Sequence, residues 1–160
     1  MSSPPPSASS PVTGDLHELF ERERAPMLRL AVLLVGSAQV AEEIVQDAFE
    51  VVGQRWSSLE RPGGYLRVCV VNGCRMALRR RDLERRHATT EVEPVVDAPD
   101  HLVELRDALD RLSERQRIVI VLRYFVDLPD DEIAEVLGCR RATVRSIAHR
   151  ALGVLREELG

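Results

Sequence analysis

From Asp15 onward the apolar positions of this chain recur every three or four residues, and no stretch keeps the strict alternation of a strand. The pattern predicts helices throughout. Leu16, Leu19, Phe20, Leu28, Ala31 and Leu34 form the first stripe, with a kink or break implied at Pro26. Gly36 and Ser37 suit the end of that helix and the cap of the next. The second helix runs from about Ala38 to Trp56 and turns Val40, Ala41, Ile44, Val45, Ala48, Phe49, Val52 and Trp56 inward. Pro62 fits the first turn of a third helix, which buries Tyr65, Leu66, Val70, Cys74 and Leu78 and ends in RRRDLERR.

The period then lapses. Between His87 and His101 stand Pro94, Pro99, two threonines and scattered acids, so residues 88–101 read as a flexible acidic linker. Helical spacing resumes from about Leu102 to Leu112, and Ser113 followed by Gln116 forms a capping box for a helix from Arg115 to Phe125. That helix offers Ile118, Val119, Val121, Leu122 and Phe125 to the segment after it. Leu128 to Arg156 reads as two short helices about a sharp turn. Ile133, Val136 and Leu137 share a face of the first, Ala134 permits close crossing, and Gly138 supplies the positive φ of the turn. Val144, Ile147, Ala148, Ala151, Leu152 and Leu155 then give the second a buried stripe. The expected fold is all-α: two small helical domains on an acidic tether, the second containing a helix-turn-helix.

A length of 160 residues suits one ordinary domain or two small ones. Residues 1–14, MSSPPPSASSPVTG, have neither a basic start nor an apolar run, so they are expected to be a disordered tail and not a signal peptide or anchor. Leu30 to Val35, the longest apolar stretch, is far too short to span a bilayer, and no membrane insertion is expected. Cys69, Cys74 and Cys139 lack CxxC spacing and lie within apolar patterns, which suits buried thiols in a reducing cytoplasm. His17, His87, His101 and His149 are scattered, and neither a phosphate-binding glycine loop nor a nucleophile motif is present. No catalytic residue, metal or cofactor is expected.

Charge changes the picture through its distribution. The net charge is −4 and the pI about 5.6, values that by themselves argue against nucleic acid. Yet Arg67 to Arg86 holds seven arginines against Asp82 and Glu84, while Glu91 to Asp110 holds seven acids against Arg106. All 22 basic residues are arginine, which suits bidentate phosphate and guanine contacts, although codon bias in a GC-rich genome also produces it. The last helix is cationic, with Arg141, Arg145 and His149 in steps of four, Arg150 beside them, and no acid between Arg140 and Arg156. Arginines at a helix amino end oppose its dipole, and DNA phosphate relieves that penalty. A recognition helix in the major groove lets Arg grip guanine and lets Thr143 and Ser146 reach base edges or phosphate.

Two further surfaces stay open on pattern alone. Glu43, Gln46, Asp47 and Glu50 make a compact acidic and amide face on the second helix, which by itself is a solvated face. Asn72 lies mid-helix among Arg67, Arg75, Arg79 and Arg80, where it either faces water or bonds something specific.

The strings AEEIVQDAF, RPGGYLRVCVVN, LSERQRIVIVLRYFVDLP and EIAEVLGCRRATVRSIAHRA, in this order and separation, resemble an extracytoplasmic-function sigma factor of bacterial RNA polymerase, within the sigma-70 family. The likeness covers nearly everything after the tail and is to the short actinobacterial members in particular. It implies that residues 15–87 are the region 2 domain and 102–160 the region 4 domain, with region 3 absent. By position it implies that Glu43, Gln46, Asp47 and Glu50 bind the clamp helices of the largest subunit of core polymerase. Arg67, Asn72, Arg75, Arg79 and Arg80 would contact the minus-ten element. Arg140, Arg141, Thr143, Arg145, Ser146, His149 and Arg150 would contact the minus-thirty-five element. The resemblance further implies contact with the polymerase flap, a linker threaded through the polymerase cleft, and a stress or envelope response under an anti-sigma factor. Pro129 and Arg140 stand where the family usually has capping serines, and Ile147 where many members have arginine.

Two readings remain. In one, the protein is a sigma subunit that binds core polymerase and opens promoters without catalysing a reaction. In the other, it is a helix-turn-helix regulator whose first domain serves dimerisation or sensing.

Overall fold

The computed structural model describes residues 11–87 and 100–159, and among them there are seven α-helices and no strand. The expected tail below residue 11 and most of the expected linker, 88–99, lie outside the described residues. Helix α1, Pro11–Val35, begins four residues inside the stretch read as tail and runs through Pro26 without a break. Gly36 ends it with φ +74° and donates its N–H to the Val32 carbonyl at 2.8 Å. The Ser37 hydroxyl then accepts the Val40 N–H and caps α2, Ala38–Gln54. A single 3₁₀ turn, Trp56–Ser58, leads to α3, Pro62–His87. These three helices pack pairwise around Leu30, Leu34, Val52, Leu66 and Val70, all fully buried.

The second unit starts with α4, Asp100–Asp110, two residues earlier than the pattern suggested. The Ser113–Gln116 capping box is formed reciprocally and opens α5, Glu114–Ile120. The next turn, Val121–Phe125, widens to π geometry instead of continuing the α-helix, and Val126 N–H bonds to the Val121 carbonyl. The widened turn exposes Phe125, which periodicity had turned inward, and Asp127 follows at φ 57°. Helices α6, Asp130–Leu137, and α7, Arg141–Leu159, flank Gly138 in the left-handed region at φ 65°. Val144, Ala148 and Ala151 of α7 are buried against α5 and α6. Phe20, placed on the first inward stripe, is 42% exposed and meets the Phe49 ring edge-on at 5.0 Å.

The two helical units are not merely tethered, because the apolar core is continuous across them. Helix α1 touches the π turn, and α3 touches both α5 and α6. The joint is polar at its centre. Leu33 and Leu34, in the last turn of α1, have carbonyls with no partner in their own helix. The Arg106 Nη1 donates to Leu33 O at 2.9 Å, and the Arg117 Nη1 to Leu34 O at 3.0 Å. Arg117 is buried, donates its Nε to Leu109 O at 3.0 Å, and lies 3.6 Å from Asp110. Burial pushes its guanidinium below the ordinary arginine value, with the Asp110 charge acting in the other direction.

Candidate nucleic-acid and protein interfaces

The cationic row on α7 is exposed as its spacing required. Arg140, Arg141, Arg145, His149 and Arg150 all face solvent, while Thr143 is half-buried. The structure divides this helix into two edges. Along one edge Arg141 lies 3.4 Å from Asp131 and Arg145 3.6 Å from Asp130, so the acids opening α6 reach across the turn to the arginines of α7. Along the other, Thr143, Ser146, Ile147 and Arg150 share a hollow with Arg115 and Gln116 of α5. Ser146 already spends its proton locally: its hydroxyl donates to the Ala142 carbonyl at 3.2 Å. Arg115 gave no signal of its own in the sequence, because the capping box draws attention to Ser113 and Gln116 on either side of it.

Pro129 and Arg140 have no side-chain acceptor with which to cap a helix. At α6, Pro129 occupies the cap position without a side-chain bond, and Asp130, Asp131 and Glu132 fill the first turn, where carboxylates suit the dipole. Each also has an arginine partner. Asp130 lies 3.6 Å from Arg123 as well as from Arg145, and Glu132 lies 3.7 Å from Arg67 of α3.

On α3 the candidate residues separate into two groups. Asn72 and Arg80 are exposed, together with Met76 and Leu83. Arg67 and Arg75 face the second unit instead, with side chains only 22% and 20% exposed. Arg75 Nε donates to Glu114 at 2.8 Å and Arg79 Nε to the other oxygen of the same carboxylate at 3.4 Å. Arg67 is less well served: its Nε is buried with no acceptor among the described residues. Glu114 gave no signal in the sequence beyond its place in a capped first turn, because its partners lie 39 and 35 positions away.

The third surface is a groove of about 670 Å³ between α1 and α2, lined by Leu16, Phe20, Leu28, Val45 and Phe49 and rimmed by Arg24, Gln46 and Glu50. Glu43 and Asp47 are exposed on α2 but do not line it. Among the described residues no group of His, Cys, Asp and Glu has metal-binding geometry, and no helix is long and apolar enough to cross a membrane.

Residues 19–84 match the family model for sigma-70 region 2, and residues 102–155 match that for sigma-70 region 4. The RNA polymerase sigma-E factor of Streptomyces coelicolor is 33% identical over 152 residues, an alignment covering 91% of this chain and 86% of that protein. The sigma-E factor of Streptomyces antibioticus is 32% identical, with 91% of this chain and 84% of that one covered. Among solved structures, the sigma factor RpoE of Bartonella quintana, crystallised with the anti-sigma factor NepR, superposes with a TM-score of 0.75 at 23% identity over 91% of this chain and 96% of its own. CnrH in complex with the cytosolic domain of CnrY gives 0.72 at 22% identity, over 92% and 88%. At these identities the structural likeness is one of fold.

Proposed function

This chain belongs to the sigma-70 family, as an RNA polymerase sigma factor of the extracytoplasmic-function group, and from that premise we propose which surface meets which partner. The protein acts in transcription initiation; our reading is that it does so as a non-catalytic subunit of core polymerase, in the cytoplasm where the polymerase works. The observation that carries the assignment is the presence of two arginine-bearing helices, α3 and α7, one in each matched region.

Residues 15–87 form the domain that meets the minus-ten element, with Arg67, Asn72, Arg75, Arg79 and Arg80 as its contacts. Asn72 is exposed one helical turn from apolar, exposed Met76, which suits an unstacked base needing both a hydrogen bond and an apolar contact. Residues 102–160 form the domain that reads the minus-thirty-five duplex through Arg140, Arg141, Thr143, Arg145, Ser146, His149 and Arg150. Arg141 and Arg145 carry no more than loose pairs to Asp131 and Asp130, at 3.4 and 3.6 Å, and a DNA phosphate or a guanine edge offers each a closer acceptor.

The face of α2 bearing Glu43, Gln46, Asp47 and Glu50 takes the clamp helices of the largest polymerase subunit, and the second domain takes the flap. The groove beside Gln46 and Glu50 supplies the apolar half of such a contact, since a partner helix needs anchors as well as charge complementarity. An anti-sigma factor is the third partner; the fold resembles that of the sigma factor RpoE crystallised with the anti-sigma factor NepR.

The experiment is run-off transcription with core polymerase on a genomic promoter library, comparing wild type with the double variant Asp47→Arg, Glu50→Arg. Both side chains are exposed, so the variant is expected to melt within about 0.5 kcal/mol of wild type. Its co-purification with core polymerase is expected to collapse, since like charges brought together at an interface cost on the order of several kcal/mol. Native affinity in a folded double variant returns the second reading, a regulator without polymerase contact.

A further inference from the structure

Helix α7 meets solvent along three rows of residues spaced four apart. Arg141, Arg145 and His149 form one, whose first two members pair with the acids of α6. Ala142, Ser146 and Arg150 form the next, and all three are exposed. The third row is Thr143 and Ile147, and it carries no charge. Both side chains are half-buried, set between the exposed rows and the fully buried Val144, Ala148 and Ala151. Ile147 packs with part of its surface against the core, and it also lines the hollow of about 460 Å³ that α7 shares with α5. That hollow thus combines an apolar wall, Ile147 and the Thr143 methyl, with the guanidinium groups of Arg115 and Arg150.

What such a hollow recognises follows from its groups. Ile147 neither donates nor accepts a hydrogen bond, and Ser146 beside it has its proton held by the Ala142 carbonyl at 3.2 Å. The edges that base pairs show in a major groove are polar with one exception, the C5 methyl of thymine. A guanine O6 or a cytosine amino group set against Ile147 would lose its water without gaining a partner. A methyl group loses nothing there. The β-branched side chain is also held to one rotamer by its helix, so its apolar surface is in place before DNA arrives. Arg115 and Arg150 do not reverse this preference, because they suit phosphates, which are the same beside every base. Resting on the functional reading above, we propose that Ile147 is a specificity-determining contact: with the methyl of Thr143, it selects thymine at one position of the minus-thirty-five element through the C5 methyl group.

The test uses the holoenzyme reconstituted from core polymerase and the full chain, on promoter duplexes recovered by run-off transcription. Each thymine of the minus-thirty-five element, on either strand, is replaced singly by deoxyuridine, which removes the C5 methyl and leaves the pairing unchanged. Competition binding is expected to show one position at which the wild type loses about fourfold, the factor equivalent to about 0.8 kcal/mol for one buried methyl. At that position Ile147→Ala is expected to bind the thymine and deoxyuridine duplexes alike. A merely structural isoleucine would lower both affinities together and keep the ratio between them. Arg145→Ala is the contrasting case, expected to weaken both duplexes and keep the ratio. If Ile147→Ala does not fold, Thr143→Ser removes one methyl from the same wall and is expected to cut the ratio to about twofold. An element without thymine on either strand, a wild type indifferent to every deoxyuridine, or an Ile147→Ala that keeps the ratio overturns the thymine contact and leaves the sigma assignment standing. Failure of the wild type in run-off transcription overturns the partner assignment, and this contact with it.

Discussion

At the scale of single residues, what matters is how well each polar group is satisfied without a partner. Arg145 has one pair at 3.6 Å with a side chain 61% exposed, so truncating it costs the fold little. Arg145→Ala is therefore expected to melt as wild type does while losing about 1–3 kcal/mol of promoter binding, with specificity relaxed at one base pair. Binding measured over single-base variants of the site checks this; a uniform loss would make the contact one to phosphate. Cys74 is the opposite case, fully buried among apolar groups, and burial pushes its thiol from 9.0 up to about 12. Burial also raises the Cys69 thiol, with a Tyr65 hydrogen bond and the Arg55 charge acting in the other direction. A thiol reagent is expected to modify Cys139 and Cys69 in the native protein and Cys74 only on unfolding. The neutral Cys74 thiol contributes stability that is complete below the ordinary thiol pKa. That contribution is lost as pH rises from about 9 toward 12, because the unfolded state ionises first.

At the scale of elements, two glycines in the same motif do different jobs. Gly138 joins α6 to α7 at φ 65°, and a Cβ added there meets nothing within 4 Å. Strain is thus its whole effect: Gly138→Ala is expected to cost about 1–2 kcal/mol, the usual penalty of the left-handed region. Gly153 also has open space around its missing Cβ but sits within α7 in ordinary helical geometry. Gly153→Ala is expected to stabilise by roughly 0.5–1 kcal/mol, since alanine loses less entropy in a helix. Chemical denaturation of the two variants side by side checks the pair. The break in α5 was not legible in this way. Its apolar spacing fits a straight helix to Phe125 with that ring inward, whereas the turn at Val121–Phe125 widens and Phe125 is exposed.

At the scale of the whole molecule, the joint between domains combines a continuous apolar core with one buried cation, Arg117. Arg117 serves Leu34 in the first unit and Leu109 in its own, so it ties the folding of one to the packing of the other. Arg117→Met keeps comparable bulk and abandons both carbonyls, each at about 1–3 kcal/mol if it stays buried and unpaired. The variant is expected to lower the melting temperature and, by freeing the units from one another, to split a single calorimetric transition into two. A single transition at the wild-type temperature would show that the joint does not couple them.

The helices, the capping box at Ser113, the turn at Gly138 and the exposed row on α7 were all legible in the sequence. Each depends on neighbours within a few positions, where periodicity, capping and backbone sterics act directly. The family was legible for a related reason, since its motifs are contiguous strings. Tertiary structure alone decided which arginines are occupied. Arg75 and Arg80 stand five residues apart in one basic run, yet the first lies against Glu114 and the second faces water. The same holds for Arg106 and Arg117, which read as ordinary helix arginines until the carbonyls of Leu33 and Leu34 are brought to them from 73 and 83 positions away. An ion pair or a cap supplied across such a distance leaves no period in the sequence, because its geometry exists only once the two units have docked.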